Sequence, residues 1–176
     1  DTTWRCTLKC SECARTERID TNQPMPKTDM SLDHFKKIVK YTEGKTQLNM
    51  CGTWGDPVFN LDFIHMLEHA YEKGAPVRIS HAASHQPESF YDKAYAANPD
   101  ATWIFGIDGL PEESHKYRVN QDGVKLFNMM LKGNRLGVKV QWQYIVFNYN
   151  NTHMKLAKKL CKKHKLEIVF IHTKRK

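Results

Sequence analysis

Between residues 47 and 172 short apolar runs alternate with helix-length segments, and this alternation restricts the chain to a small set of folds. Residues 47–51, 76–80, 102–107, 138–147 and 167–172 read as strands, bounded by Gly, Pro, Asn and Asp. Ser31 is the expected N-cap of a helix that places Leu32, Phe35, Ile38 and Val39 at helical spacing. Further helices are expected over residues 61–73, closed by Gly74, and over 88–97, 123–136 and 152–164. Residues 16–29 read as a polar, proline-bearing loop. Strands separated by helices of this length are joined by right-handed crossovers and lie parallel.

The class is therefore α/β with parallel strands. If the residues ahead of Cys6 finish a first strand, the chain supplies six strands and five connecting helices, a partial (β/α)6 TIM-like barrel or an open sheet. In such folds chemistry sits where strands end and loops lead into helices. The cysteine-bearing segment and residues 52–57, 81–85, 108–110 and 148–150 each follow an expected strand, so five polar or glycine-rich loops should share one rim. A length of 176 residues suits one core. The chain is read as one domain, 1–176, cut at both ends from a longer protein and lacking its C-terminal extension.

No run approaches the ~18–20 apolar residues that cross a bilayer, and no secretory signal opens the chain, so a cytoplasmic protein without a membrane partner is expected. The formal charge of +8 invites a nucleic-acid reading. Much of it, however, falls on Lys155, Lys158, Lys159, Lys162, Lys163 and Lys165 of one expected helix, opposite Leu156, Ala157, Leu160 and Cys161. That pattern is a solvated face, and basic residues do not interleave with aromatics as single-strand binders require.

Three of five cysteines, Cys6, Cys10 and Cys13, fall within eight positions. That spacing is poor for disulfides and good for a metal or cluster. Soft, anionic thiolates at spacings of four and three can wrap three corners of a 4Fe-4S cluster and leave the fourth iron open. Zinc stays open as well, with Cys51 or His34 as a fourth donor. Otherwise Cys51 and Cys161 read as packed apolar thiols, Trp103 and Trp142 as core, and Trp54 as pocket wall. Gly52 and Gly55 suit a tight turn, Asp108 a turn or cap, and His81, Ser84 and His85 a polar rim loop.

The CX3CX2C arrangement after a first strand resembles the signature loop of the radical S-adenosylmethionine (radical SAM) superfamily. Gly52-Thr53-Trp54-Gly55-Asp56-Pro57 resembles its GGEP-type turn, with Trp54 and Asp56 where Gly and Glu are usual. Ile104 to Leu110, followed by Glu113, His115, Tyr117 and Arg118, is similar to the S-x-D-G block of peptide-modifying members with SPASM or twitch extensions. Val146-Phe147-Asn148-Tyr149-Asn150 resembles their fifth-strand ending, and Glu12 stands where an aromatic residue is usual. The phrases at residues 105–110 and 142–148 are also similar to short radical SAM proteins of marine bacteria and phages.

The resemblance implies a 4Fe-4S cluster on Cys6, Cys10 and Cys13 that cleaves S-adenosylmethionine to a carbon radical. It implies Asp56 on the cofactor's ammonium, Arg118 on its carboxylate and Asp108 near its ribose, with Gly52, Trp54, Gly55, Pro57 and Ser84 lining the cofactor site. It further implies an electron donor such as flavodoxin or ferredoxin, and a peptide or protein side chain as substrate. A nucleotide or sugar substrate, a cluster used only for electron relay, and a zinc-stabilised nucleic-acid module are the alternatives.

Overall fold

Five short strands form one parallel sheet in chain order: β1 (Leu48–Met50), β2 (Val77–His81), β3 (Thr102–Gly106), β4 (Lys139–Val146) and β5 (Glu167–His172). This computed structural model describes residues 1–173. The closing basic run at 174–176, part of the expected domain, lies outside the described residues.

Each of the first four strands leads to a helix, as the alternation requires. Ahead of β1 come α1 (Ala14–Asp20) and α2 (Leu32–Tyr41); α3 (Phe63–Glu72), α4 (Glu88–Ala97), α5 (Gly123–Arg135) and α6 (Met154–His164) follow β1 to β4. The Ser31 hydroxyl accepts from His34 N and caps α2, as expected. Asp122 caps α5 in the same way, on Lys125 N. The helices pack in sequence, α2 on α3, α3 on α4 and α4 on α5, and so cover one face of the sheet.

Between sheet and helices lies an aromatic layer. Trp103, Phe105, Phe63, Tyr91 and Trp142 are fully buried. The ring centroid of Trp103 is 5.2 Å from that of Tyr95 and 5.9 Å from that of Phe63, both edge-on. β2 runs one residue past its expected end, so Val77, Ile79 and His81 all point into this layer. His81 is thus not a rim-loop residue. Its ring packs 4.5 Å from Phe105 and 5.3 Å from Trp103, and burial pushes its pKa down to about 3.

Two other expectations change. Residues 2–5 do not add a sixth strand: Asp56 N–H donates to Arg5 O and Met30 N–H to Thr2 O, bonds that come from loops rather than a neighbouring strand. Part of the expected loop at 16–29 is α1, which buries no residue and so leaves no apolar period to read. On α6, Ala157 and Cys161 are buried as expected, whereas Leu156 is 49% exposed. Among the described residues no helix is long and apolar enough to cross a membrane.

Candidate functional site

A cavity of about 210 Å³ opens at the C-terminal ends of the strands. Cys6, Cys10 and Cys13 line it together with the turn after β1, Ala82 after β2 and Arg118 after β3. The loop after β4 joins the same rim, because the Tyr149 hydroxyl donates to Asp108 O at 2.7 Å. The five loops therefore meet on one side of the sheet.

The cysteine loop has little apolar weight beyond Leu8, which is 4% exposed, and is held by bonds from distant loops. Lys9 N–H donates to Val119 O, Asn120 Nδ2 donates to Thr7 O, and the Thr7 hydroxyl pairs with His85 Nδ1 at 2.9 Å. All five cysteines are free. Burial, assisted by the Asp56 charge, pushes the Cys6 thiol up to about 12. Burial also raises Cys10, against the lowering effect of the Arg118 guanidinium. Thiols in this state are weak nucleophiles, and a bound metal would deprotonate them outright.

The turn at 52–57 needs its glycines for close approach. A Cβ on Gly52 would run into the Gly55 carbonyl, and one on Gly55 into the Thr3 carbonyl. The Asp1 carboxylate accepts from Thr53 N and Trp54 N, and Trp54 lines the cavity with the Arg18 guanidinium 5.0 Å from its ring centroid. Cys51 opens this turn and is exposed on the cavity wall rather than packed away, since β1 ends at Met50.

Asp56 is 6% exposed, and burial raises its pKa against the pull of its hydrogen bonds. Its Oδ2 accepts from Ala82 N and Ala83 N, both at 2.8 Å, and its Oδ1 from Val58 N at 3.3 Å. The carboxylate thus caps the 3-10 turn Pro57–Phe59 and ties the loop after β1 to the loop after β2.

Arg118 is enclosed, with its Nε 2.7 Å from Asp108 Oδ2. Burial disfavours its charge, but Asp108 and Cys10 hold its pKa up. Asp108 is fully buried and stands behind Arg118 rather than on the cavity wall; its Oδ1 accepts from Ile145 N at 2.8 Å. Ser84 is also off the wall, its hydroxyl accepting from Asp122 N.

Sequence reasoning passed over several residues. Gln121 Nε2 donates to Ala82 O and Gly106 O while its Oε1 accepts from the Ser114 hydroxyl, so one amide joins two rim loops. Arg15 lines the cavity near Cys6. Gln143 lines it from β4, where Gln141, Gln143 and Ile145 alternate with buried Val140, Trp142 and Tyr144. That period of two was the available signal for Gln143. Gln121 and Arg15 leave none, since their partners come from other loops.

Three free thiols on one cavity wall are the donor chemistry that an iron–sulfur cluster takes; among the described residues no three His, Cys, Asp or Glu side chains stand close enough to hold a metal ion.

No family model matches the chain, and no curated protein matches it. Solved structures do. Streptococcus suis SuiB bound to S-adenosylmethionine superposes with a TM-score of 0.79 at 12% identity, over 99% of this chain and 40% of that one. The chain has their fold: native anSMEcpe with bound AdoMet and Cp18Cys peptide gives 0.74 at 16% identity, covering 97% and 48%. Methylornithine synthase (PylB) gives 0.72 at 17% identity, covering 97% and 51%. SuiB has also been solved with its precursor peptide SuiA. This chain spans about two fifths to one half of the length of these proteins.

Proposed function

We propose that the chain is the core of a radical SAM enzyme, with Cys6, Cys10 and Cys13 holding a 4Fe-4S cluster. The observation that carries this reading is the meeting of three free thiols, the glycine turn and the partly exposed Arg118 around one cavity in this fold. When bound, the cluster and S-adenosylmethionine would supply one-electron reductive cleavage of a carbon–sulfur bond, the electron coming from an external donor such as flavodoxin or ferredoxin, and with it radical abstraction of hydrogen from an unreactive carbon.

The chain's own residues bind, orient and exclude water. Cys6, Cys10 and Cys13 would hold the cluster through their thiolates. Gly52 and Gly55 bring backbone close to the cofactor, with Trp54 and Pro57 as wall. Asp56 holds its turn against Ala82 and Ala83 and offers a remaining lone pair to the cofactor's ammonium, beside the carbonyls of residues 53–55. Arg118 brings positive charge for the cofactor's carboxylate. Asp108 fixes Arg118 and closes the approach to the ribose, and Ser84 fixes the neighbouring loop through Asp122. Leu8 and Ile104 keep the floor dry.

The substrate in this reading is a peptide or protein side chain. The block at residues 104–118 resembles peptide-modifying members, and SuiB and anSMEcpe have been solved with peptides. S-adenosylmethionine and a flavodoxin or ferredoxin as electron donor complete the partners.

Anaerobic reconstitution tests the reading. The chain should take up about four iron and four sulfide, cleave S-adenosylmethionine on reduction, and lose both properties in Cys10→Ala. Tight zinc with no iron would overturn it. Cofactor turnover stimulated by nucleotides or sugars but not by peptides would move the substrate assignment.

A further inference from the structure

Two glutamines stand one pleat apart on the same face of β4, and their amides are used differently. Gln141 Oε1 accepts from Arg78 Nη2 at 3.5 Å and its Nε2 donates to Glu167 Oε2 at 3.3 Å, so this amide joins β2 to β5. Gln143, two residues nearer the rim, is half-buried on the cavity wall, and none of the described residues hydrogen-bonds its side chain. Its backbone is fixed: it pairs with Gly106 on one side and Val169 on the other, and its carbonyl accepts from Ile107 N. A carboxamide with two donors and one acceptor oxygen unspent thus faces the cavity from a rigid strand. Around it the surface is apolar. Ile104 lines the cavity beside it, and on the same face Val169 is 40% and Ile171 39% exposed.

We infer that Gln143 is a specificity-determining residue for the substrate: its carboxamide holds the main chain of an extended peptide at a residue whose apolar side chain packs on Ile104 and Val169. The inference rests on the peptide reading above and gives it a subsite. In an extended chain the N–H and C=O of one residue point the same way, as the paired bonds of an antiparallel ladder require. A carboxamide presents the complementary pair, Oε1 to accept from that N–H and Nε2 to donate to that carbonyl. A sugar would bring several hydroxyls to a face with one free amide and strand most of them against Ile and Val.

The test uses blocked tripeptides, acetyl-Gly-Xaa-Gly-amide with Val, Leu, Phe, Ser or Asp at the centre, and analogues whose central N–H is replaced by ester oxygen. Dissociation constants are measured by anaerobic calorimetry on the reconstituted full chain with S-adenosylmethionine. The parent should prefer apolar centres, and amide over ester by about twofold to tenfold, the worth of one neutral hydrogen bond. Gln143→Leu should lose the preference for amide over ester, whereas Gln141→Leu, on the same face but with its amide spent elsewhere, should keep it. An unchanged preference in Gln143→Leu, or an equal loss in Gln141→Leu, would overturn the inference. So would weakened S-adenosylmethionine binding in Gln143→Leu with the peptide preference intact, which would assign the carboxamide to the cofactor's adenine. A parent that holds iron and cleaves S-adenosylmethionine but binds none of the peptides overturns the inference alone. A parent that takes up no iron overturns the cluster reading itself, and metal analysis tells the two apart.

Discussion

The aromatic layer and the rim are both buried, yet they are held in opposite ways. Around Trp103 the interior is rings on rings, where shape and apolar area carry the energy. At the rim, Asp56, Asp108 and Gln121 are as buried as the core residues but satisfy backbone groups of loops other than their own. The first region is robust to small changes of partner. In the second, each lost acceptor strands a buried amide, at about 1–3 kcal/mol. Stability resides in the layer and site geometry in the latches.

The largest test of this division is Trp103→Ala, which should cost about 3–5 kcal/mol in urea unfolding. A loss under about 1 kcal/mol would mean the layer is not the centre of stability. Asp56→Asn comes next. Its oxygen can still serve Ala82 and Ala83, but its NH2 faces Val58 N–H, so the expected loss is about 1–3 kcal/mol. Cofactor affinity should fall roughly tenfold to a hundredfold with the cluster intact, from a lost charge-assisted bond. Unchanged affinity would leave Asp56 as a latch and the ammonium to the backbone carbonyls.

A pH series probes the imidazole in the aromatic layer. His81 is depressed from 6.5 to about 3, so the unfolded chain takes up its proton first. Its contribution is complete above pH 6.5 and is lost as pH falls from there toward 3, by at most about 1.4 kcal/mol per unit. His81→Phe should remove that part of the slope between pH 7 and 5; an identical slope in both proteins would count against a buried neutral ring. The smallest effect belongs to the outer strand. Val169, 40% exposed on β5, should tolerate Thr within about 0.5 kcal/mol.

The fold was legible where one face of an element is buried. Thr102–Gly106 and Gly123–Arg135 appear within a residue of their sequence reading because their apolar runs are long enough to show a period. α1 was not, since it buries nothing and rests on polar contacts, Arg15 to Trp4 O and Arg18 to Trp54. At the site, cysteine spacing and turn glycines are local and could be read. The latches could not: nothing near Gln121 in sequence announces that it will meet Ala82 and Gly106, and the extra residue of β2 seats His81 at the strand end, between the aromatic layer and the cavity it lines.

The bonds that hold the cysteine loop also order events in time. Cys6, Cys10 and Cys13 are made well before Asn120, which ties the loop at Thr7 from 113 residues later. Long-range closures of this kind come late in folding. During synthesis the three thiols therefore wait, unsheltered, until β1, β2 and β3 and the helices α3 and α4 have been made, and the loop is open to oxidation before its cavity exists.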